Sequence, residues 1–154
     1  MGDEKKQWYD DLILPVLLAE ARKTYGRAIR VAFAAEGFDD IPKLGPRLLG
    51  GMLRFGGQPD DIAKDFGISK QAASKLVDAL VVRGYLDRSV DPDDRRRMKL
   101  ALTERGAAAA KASGAATDRV DRELQSAVGP DAVAQMRETL GALVGLRVTE
   151  TPPA

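Results

Sequence analysis

The sequence predicts a mainly helical fold with one small β-hairpin, a fold of the α+β class, and three observations support this prediction. Long segments near both ends of the chain repeat apolar residues at steps of three and four, which is typical of amphipathic helices. Residues 98–102 instead alternate apolar and polar side chains, as a half-buried strand does. Glycine and proline residues separate these segments. At 154 residues, the chain is expected to form one domain with a substantial core.

The first helix is predicted over residues 10–36. Pro15 lies near its start, where proline either fits the first turn or kinks the helix. A helix of this length has more apolar surface than a small domain covers easily, so burial against a partner subunit stands beside packing within one subunit as an explanation. The apolar stripe consists of Leu14, Leu17, Leu18, Ala21, Tyr25, Ile29, Ala32 and Phe33.

A second helix is predicted from Pro46 to about Arg54, after a connector at residues 37–42. Two adjacent glycines, Gly50 and Gly51, fall inside it, and each costs about 1 kcal/mol relative to alanine in a helix interior. Close backbone approach, a bend or a broken helix would each account for them, and close packing is the simplest of the three.

The most informative stretch runs from Asp61 to Gly106. A short helix over residues 62–66 stops at Gly67, a residue that can take the left-handed conformation common at helix ends. Ser69 is predicted to cap a second helix that runs to about Arg83. The predicted buried face of this helix consists of Ala73, Leu76, Val77 and Leu80, and the opposite face of Gln71, Ser74, Lys75 and Asp78. Two helices joined by a tight turn, the second with a polar and basic face, indicate a helix-turn-helix, whose second helix lies in the DNA major groove.

A hairpin is predicted to follow this helix. Leu86 and Val90 are the apolar positions of its first strand, and Met98, Leu100 and Leu102 are those of its second. The loop at residues 91–97 contains a proline and three consecutive arginines, which suit contact with phosphate or with a minor groove.

Two more helices are predicted after the hairpin. Thr103 is expected to cap a helix that extends to about Val128, where Gly129 and Pro130 end it. The last helix is predicted from Asp131 to about Val148. The apolar positions of the two helices are Ala112, Ala116, Val120 and Leu124, and then Val133, Met136, Leu140, Leu143 and Val144.

Composition excludes several kinds of chemistry. The chain has no cysteine and no histidine, which rules out disulfides, thiol redox sensing, metal sites built on either residue, and catalysis by imidazole or thiolate. With no GxxxxGK loop and no convergent acid pair, we expect neither an enzyme nor a cofactor nor a metal. The 24 basic and 23 acidic residues nearly cancel, but residues 69–105 hold nine basic and six acidic ones. Any attraction for nucleic acid must therefore be local.

The N-terminal segment is not expected to be a signal peptide. Asp3, Glu4, Asp10 and Asp11 make it acidic, whereas such peptides begin with basic residues. The apolar run at residues 12–19 is also shorter than the roughly 20 residues that span a bilayer. We therefore expect a cytoplasmic protein without a membrane partner.

Four motifs in order resemble the MarR-type winged helix-turn-helix transcription regulators. These motifs are IAKDFGIS at residues 62–69, LVVRGYL at 80–86, DPDDRR at 91–96 and LTERG at 102–106. The resemblance implies a homodimer, with dimerisation helices at residues 8–36 and 107–148 and a winged helix-turn-helix DNA-binding region at residues 43–106. It also implies that each subunit places one helix in a major groove and its wing near a neighbouring minor groove.

The resemblance carries DNA-binding roles to ten positions. On the second helix of the helix-turn-helix these are Ser69, Lys70, Gln71, Ala72, Ser74 and Lys75, and in the wing they are Asp94, Arg95, Arg96 and Arg97. Arg96 would enter the minor groove, and Asp94 would hold its guanidinium in a bidentate pair. Gln71 is the best candidate for reading an adenine edge, while Ser69 and Lys75 suit phosphate.

These expectations combine into a dimeric, sequence-specific regulator of transcription that binds a pseudo-palindromic operator in double-stranded DNA, a repressor released by a small ligand. An aromatic or lipophilic effector is suggested by family analogy and by five aromatic residues, although core packing explains any one of them more simply: Trp8, Tyr25, Phe33, Phe38 and Phe55. The alternatives are a winged-helix module that binds proteins and a non-specific DNA binder without a small-molecule response.

Overall fold

The computed structural model describes residues 7–55, 59–90 and 98–146. In this part of the chain the elements are α1 (Leu14–Glu36), α2 (Gly45–Phe55), α3 (Pro59–Phe66), α4 (Lys70–Val82), β1 (Leu86–Val90), β2 (Met98–Leu102), α5 (Glu104–Val128) and α6 (Pro130–Gly145). The predicted fold class, mainly helical with one hairpin, is confirmed. The chain divides into two compact units, residues 1–117 and residues 118–154.

Helix α1 begins at Leu14, four residues later than predicted. Ile13 has an extended backbone, and Pro15 occupies the first turn, where its missing N–H costs no helical hydrogen bond. The first-turn alternative for Pro15 is thus confirmed. Phe33 is the one buried residue of this helix, and Leu14 of the predicted stripe is 67% exposed. The core of the single chain therefore leaves part of the stripe exposed, at Leu14, Leu18 and Ala21.

Helix α2 is continuous from Gly45 to Phe55, so the broken-helix explanation of Gly50 and Gly51 is wrong. A Cβ added at either glycine would meet no atom of the described residues within 4 Å. Within the described part of the chain, the close-packing explanation is therefore wrong as well. Leu48 and Leu49 of the same helix are buried in the core.

Helices α3 and α4 form the predicted helix-turn-helix. Helix α3 ends at Gly67, whose φ of 61° is left-handed, and the N–H of Ile68 closes the helix end by donating to the Ala63 carbonyl at 3.0 Å. Ser69 caps α4 as predicted, because its Oγ accepts a hydrogen bond from the Ala72 N–H at 3.1 Å. All four predicted core residues of α4 are buried: Ala73, Leu76, Val77 and Leu80.

Strands β1 and β2 pair in an antiparallel hairpin with Leu86 opposite Leu102 and Val90 opposite Met98. Leu100 is buried and Lys99 is exposed, which confirms the alternation predicted for β2. Leu86 is the one buried residue of β1, and Val90, the other apolar position predicted for this strand, is 54% exposed. Val90 lies two residues beyond Arg88, the partner of the buried Leu100, at the end of β1 that is farther from the core.

The core of the first unit lies where α2, α4, the hairpin and the start of α5 meet. Its fully buried side chains are Tyr85, Leu49, Leu80, Leu86 and Val77. Phe33, Phe38 and Tyr85 stack edge to face, with ring centroids 6.0 Å and 6.2 Å apart in turn. This aromatic series joins the end of α1 to the turn between α4 and β1.

The start of α5 is fixed by hydrogen bonds and by close packing. Thr103 caps the helix as predicted, since its Oγ1 accepts from the Gly106 N–H at 2.9 Å, and its hydroxyl donates to the Gly84 carbonyl at 2.6 Å. A Cβ at Gly106 would lie 2.0 Å from the Tyr85 carbonyl oxygen. The backbone of α5 therefore approaches Tyr85 as closely as glycine alone allows.

In the second unit, α6 follows Gly129, whose φ of 87° and the proline after it end α5 as predicted. An ion pair between Arg137 and Asp121, 3.1 Å long, links α6 to the last part of α5. None of the sixteen residues of α6 is buried, and Val144 is 86% exposed. No helix among the described residues is long and apolar enough to cross a membrane.

Candidate nucleic-acid interface

The predicted contact residues of α4 share its exposed face. All six are exposed and lie opposite the buried side of the helix: Ser69, Lys70, Gln71, Ala72, Ser74 and Lys75. The residues on the exposed side are short or flexible, so this face can approach another surface closely. The cap at Ser69 occupies its oxygen as an acceptor, yet the hydroxyl hydrogen can still donate to a phosphate.

Positive charge lies on and beside this face. Lys70 and Lys75 are exposed on α4, Lys64 is exposed in the last turn of α3, and Lys99 is exposed on β2. The one acid on the exposed side of α4 is Asp78. Its carboxylate forms an ion pair with Arg88 on β1, with 2.8 Å between Asp78 Oδ1 and Arg88 Nη2. Because Arg88 pairs with this carboxylate, the lysines of α4 face an incoming anion without a free acid beside them on the helix.

The Asp78–Arg88 pair also ties the base of the hairpin to α4. Sequence reasoning placed Asp78 on the polar face but missed Arg88, because the two residues lie on different elements and no spacing rule links them. An exposed pair of this kind contributes about 0–1 kcal/mol to stability. The pair is a contact between β1 and α4 outside the core.

A second missed contact holds α2 against the turn of the helix-turn-helix. The Arg47 guanidinium donates to the Asp65 carbonyl at 2.8 Å and lies over the Phe66 ring, 4.3 Å from its centroid. One side chain therefore satisfies a carbonyl near the end of α3 and covers an aromatic ring. Arg47 thus adds a polar and an aromatic contact between α2 and the end of α3.

The tip of the hairpin, residues 91–97, lies outside the described residues. The four predicted wing contacts fall there: Asp94, Arg95, Arg96 and Arg97. The described strands end with Val90 paired to Met98, on the side of the hairpin away from α5. The predicted roles of the wing residues stay predictions.

A polar cluster formed by Asp40, Tyr85 and Arg105 lies behind α4. The Tyr85 hydroxyl donates to Asp40 Oδ1 and accepts a hydrogen bond from Arg105 Nη2 at 2.8 Å. Arg105 Nη2 also donates to Asp40 Oδ1 at 3.2 Å, and its guanidinium lies 4.6 Å from the centroid of the Tyr85 ring. The sequence pointed to Tyr85 and Arg105 only as letters of two motifs, and no pattern marked Asp40.

The electrostatics of this cluster follow from its hydrogen bonds. The bond from the Tyr85 hydroxyl is the main reason that the pKa of Asp40 lies below its usual value, and Arg105 lowers it further. Burial is the main reason that the pKa of Tyr85 is raised, and donation to Asp40 adds to the effect. The hydrogen bond to Tyr85 likewise raises the pKa of Arg105. At neutral pH the cluster therefore holds a carboxylate, a neutral phenol and a guanidinium.

Comparison with known proteins agrees with this geometry. Residues 47–97, which span α2 to the hairpin tip, match the sequence model of the MarR family. The matched segment contains the helix-turn-helix and the first strand of its hairpin, and it is similar in sequence to the MarR family. The resemblance stated from the four motifs is confirmed, and members of this family are transcription regulators rather than enzymes.

Solved structures show the same fold. MepR of S. aureus, solved as a DNA complex, matches with a TM-score of 0.71 and 23% identity over 87% of this chain and 98% of that one. The reduced form of MarR from E. coli matches with a TM-score of 0.69 and 21% identity, with the same coverage of both chains. A transcriptional regulator from Thermotoga maritima matches with a TM-score of 0.56 and 23% identity over 85% of this chain and 91% of that one. No protein of curated function matches the chain.

The described residues among the five aromatic ones lie in different surroundings. Phe33 and Phe38 are buried in the core, whereas Trp8 is 74% exposed and contacts the neighbouring Tyr9 ring edge to face at 5.5 Å. Core packing is thus confirmed for the two phenylalanines and wrong for Trp8 within the described chain. Tyr25 is partly buried, and the side chain of Phe55 lies outside the described part. Among the described residues, no acidic cluster suited to a metal ion is present.

Proposed function

We propose that this protein is a dimeric, sequence-specific regulator of transcription that binds double-stranded DNA, with α4 as the recognition helix in the major groove. The observation that carries this proposal is the exposed face of α4, which holds Gln71 between two lysines on a MarR-type winged helix. A glutamine can donate to and accept from an adenine edge, and lysines attract phosphate. MepR, a structure of the same fold, was solved bound to DNA.

Selection of bound duplexes from a random pool tests sequence-specific binding directly. The proposal expects a pseudo-palindromic consensus whose half-sites lie about one helical turn apart, roughly 34–36 Å. Affinity for that consensus should fall steeply with salt. The logarithm of the binding constant should decrease with the logarithm of the salt concentration, with a slope of about 0.9 for each neutralised phosphate. Enrichment of no sequence, together with binding that is insensitive to salt, would reject the proposal.

Two substitutions then separate base reading from backbone contact. Gln71→Ala should weaken binding by about 1–3 kcal/mol on the consensus and relax specificity at one base position. Arg96→Ala should weaken binding to all duplexes and lower the salt slope by about 1, if the wing arginine reaches the minor groove beside Asp94. Gln125→Ala and Arg119→Ala on the exposed surface of α5 are matched controls, which should bind as the wild type does.

The dimer is supported by apolar surface that the chain leaves uncovered. Ile13, Leu14 and Val31 in and before α1 are 64–68% exposed, and Leu146 after α6 is 65% exposed. Isolated helices with so little burial are marginal in water, and a second copy of the chain would cover them. Sedimentation equilibrium should give about twice the chain mass of 16.6 kDa. A particle of one chain mass at micromolar concentration would reject the dimer.

Repression and its release by an effector complete the proposal. An operator that overlaps a promoter should give lower transcription when the protein is present. A screen of small aromatic and lipophilic compounds in the binding assay should find one that raises the dissociation constant, since a ligand that favours the free state lowers DNA affinity by linkage. If transcription rises on addition of the protein, it is an activator.

The structure of α2 weakens the alternative that the protein is a protein-binding module. A second helix broken at Gly50 and Gly51 would favour such a module, but α2 is continuous. Retention of duplex affinity by Arg96→Ala and Gln71→Ala alike would favour that alternative.

A further inference from the structure

Three segments of the first unit meet at the side chain of Tyr85. Asp40 lies on the connector that follows α1, Tyr85 lies in the turn between α4 and β1, and Arg105 lies in the first turn of α5. Tyr85 is fully buried, while its hydroxyl reaches the two partly exposed charged side chains. A single phenol therefore connects the end of α1 with both elements that the proposed function places on DNA.

The turn that carries Tyr85 leaves little freedom of its own. The N–H of Tyr85 donates to the Leu80 carbonyl at 2.9 Å, and the N–H of Gly84 donates to the Val81 carbonyl at 2.9 Å. These two hydrogen bonds form a Schellman motif at the end of α4. The Tyr85 carbonyl accepts from the Thr103 N–H at 3.2 Å. The backbone of Tyr85 is thus hydrogen-bonded both to the end of α4 and to Thr103, the residue after β2.

The link on the α1 side is thinner. Helix α1 contributes one buried residue, Phe33, whose ring contacts Phe38, and the Phe38 ring contacts Tyr85. Beyond these edge contacts, the connector is held to Tyr85 and Arg105 through Asp40 Oδ1, and to Arg105 through the Gly37 carbonyl at 3.5 Å. Ile29 of α1 and Ile41 of the connector are only partly buried against the core. The hydrogen-bonded cluster is therefore the directional part of the link between α1 and α4.

We infer that Tyr85, Asp40 and Arg105 are positioning residues that fix the angle between α1 and α4, and thereby set the affinity of the protein for DNA. This inference rests on the proposed function for its effect on DNA, but the angle itself can be measured without DNA. A role in packing alone would predict that loss of the hydroxyl lowers stability and leaves both the angle and the affinity unchanged.

Tyr85→Phe tests the inference, because it removes the hydroxyl and keeps the ring. Since the chain has no cysteine, Ala35→Cys on α1 and Val82→Cys on α4 can carry two spin labels at exposed positions. Doubly labelled chains are diluted with unlabelled protein, so that pulsed electron resonance reports the distance within one chain. Tyr85→Phe should broaden this distance distribution and weaken binding to the selected duplex about three- to tenfold, the range of one lost hydrogen bond.

A double-substitution cycle shows whether Tyr85 acts through Asp40. Asp40→Ala should weaken DNA binding to a similar extent, and adding Tyr85→Phe to it should cause little further loss, because the two residues share one bond. Tyr9→Phe makes the same chemical change outside the cluster and should match the wild type in distance and affinity. Losses that simply add in the double variant would overturn the assignment of Tyr85 and Asp40 to one device.

Other outcomes are equally decisive. If Tyr85→Phe lowers the unfolding midpoint while the distance distribution and affinity remain those of the wild type, the cluster only packs the core and the inference is wrong. If the wild-type protein binds no duplex, the proposed function fails. The distribution of distances between the spin labels then tests the inference about the angle by itself. A broader distribution in Tyr85→Phe supports the inference, and an unchanged distribution contradicts it.

Discussion

Replacement of Gly106 by alanine should destabilise the protein, although alanine is the better helix former. Gly106 lies in the first turn of α5, against the backbone of Tyr85. The added Cβ would lie 2.0 Å from the Tyr85 carbonyl oxygen and 3.0 Å from its carbonyl carbon, whereas ordinary contacts begin at 3.4 Å. Both atoms belong to a backbone held by the Thr103 N–H at 3.2 Å, so they cannot turn aside as the end of a flexible side chain can.

The expected change in the free energy of unfolding combines two destabilising effects and one stabilising effect. Overpacking of this kind costs about 1–3 kcal/mol, and the helix propensity of alanine returns at most about 1 kcal/mol. Displacement of the helix start also strains the 2.9 Å bond from the Gly106 N–H to Thr103 Oγ1, and loss of such a cap costs about 1 kcal/mol. We expect a net loss of about 2 kcal/mol, equivalent to a melting temperature lower by about 4–8 °C for a chain of this length.

Urea denaturation followed by circular dichroism measures the change. Wild type and variant must be compared at equal concentration, because association of chains adds to apparent stability. Gly114→Ala is the matched control, since it lies in the same helix and its added Cβ would meet no described atom within 4 Å. It should be neutral or more stable by up to about 1 kcal/mol. Equal midpoints for Gly106→Ala and the wild type would refute the close approach of α5 to Tyr85.

Two further predictions concern charge and backbone entropy. Because the pKa of Asp40 is lowered in the folded state, chiefly by the Tyr85 hydroxyl, the stability it contributes is present above the usual aspartate pKa and lost as pH falls through the lowered one. Asp40→Asn should therefore reduce the loss of stability that acid causes below about pH 4, measured as urea midpoints against pH. Equal pH dependence of the midpoints for wild type and Asp40→Asn would contradict the network. Gly50→Ala should raise the free energy of unfolding by up to about 1 kcal/mol in the same assay, because no described atom lies within 4 Å of the added methyl, and a lowered midpoint would contradict this.

Local patterns were sufficient for most of the fold. The cap at Ser69, the left-handed Gly67 and the buried face of α4 follow from short-range rules, because a helix end must satisfy its own N–H and C=O groups and an amphipathic stripe must be buried. Thr103 and Gly129 were found in the same way. Predictions failed where the outcome depended on what lies across space. Val90 is exposed because the core ends near the buried Leu100 and does not reach the far end of β1. Gly50 is open because no described neighbour approaches it.

Some residues of the candidate site could likewise be predicted from local patterns, and others could not. The exposed positions on α4 could be predicted because the helical period separates them from the core. Arg47, Arg88 and the cluster around Tyr85 could not, since their partners are distant in sequence: Arg47 meets Asp65, Arg88 meets Asp78, and Tyr85 meets Asp40. Only long-range packing brings such pairs together.

The sequence by itself determined the helix-turn-helix, the hairpin and the exposed face of α4, because periodicity and capping depend on residues close together in the chain. The tertiary structure alone decided how α1, α4 and α5 are joined. That junction is built from a buried phenol, a carboxylate 45 residues before it and a guanidinium 20 residues after it. Chain packing sets which of many polar groups will meet, and a buried hydroxyl stabilises only the arrangement that supplies its partners.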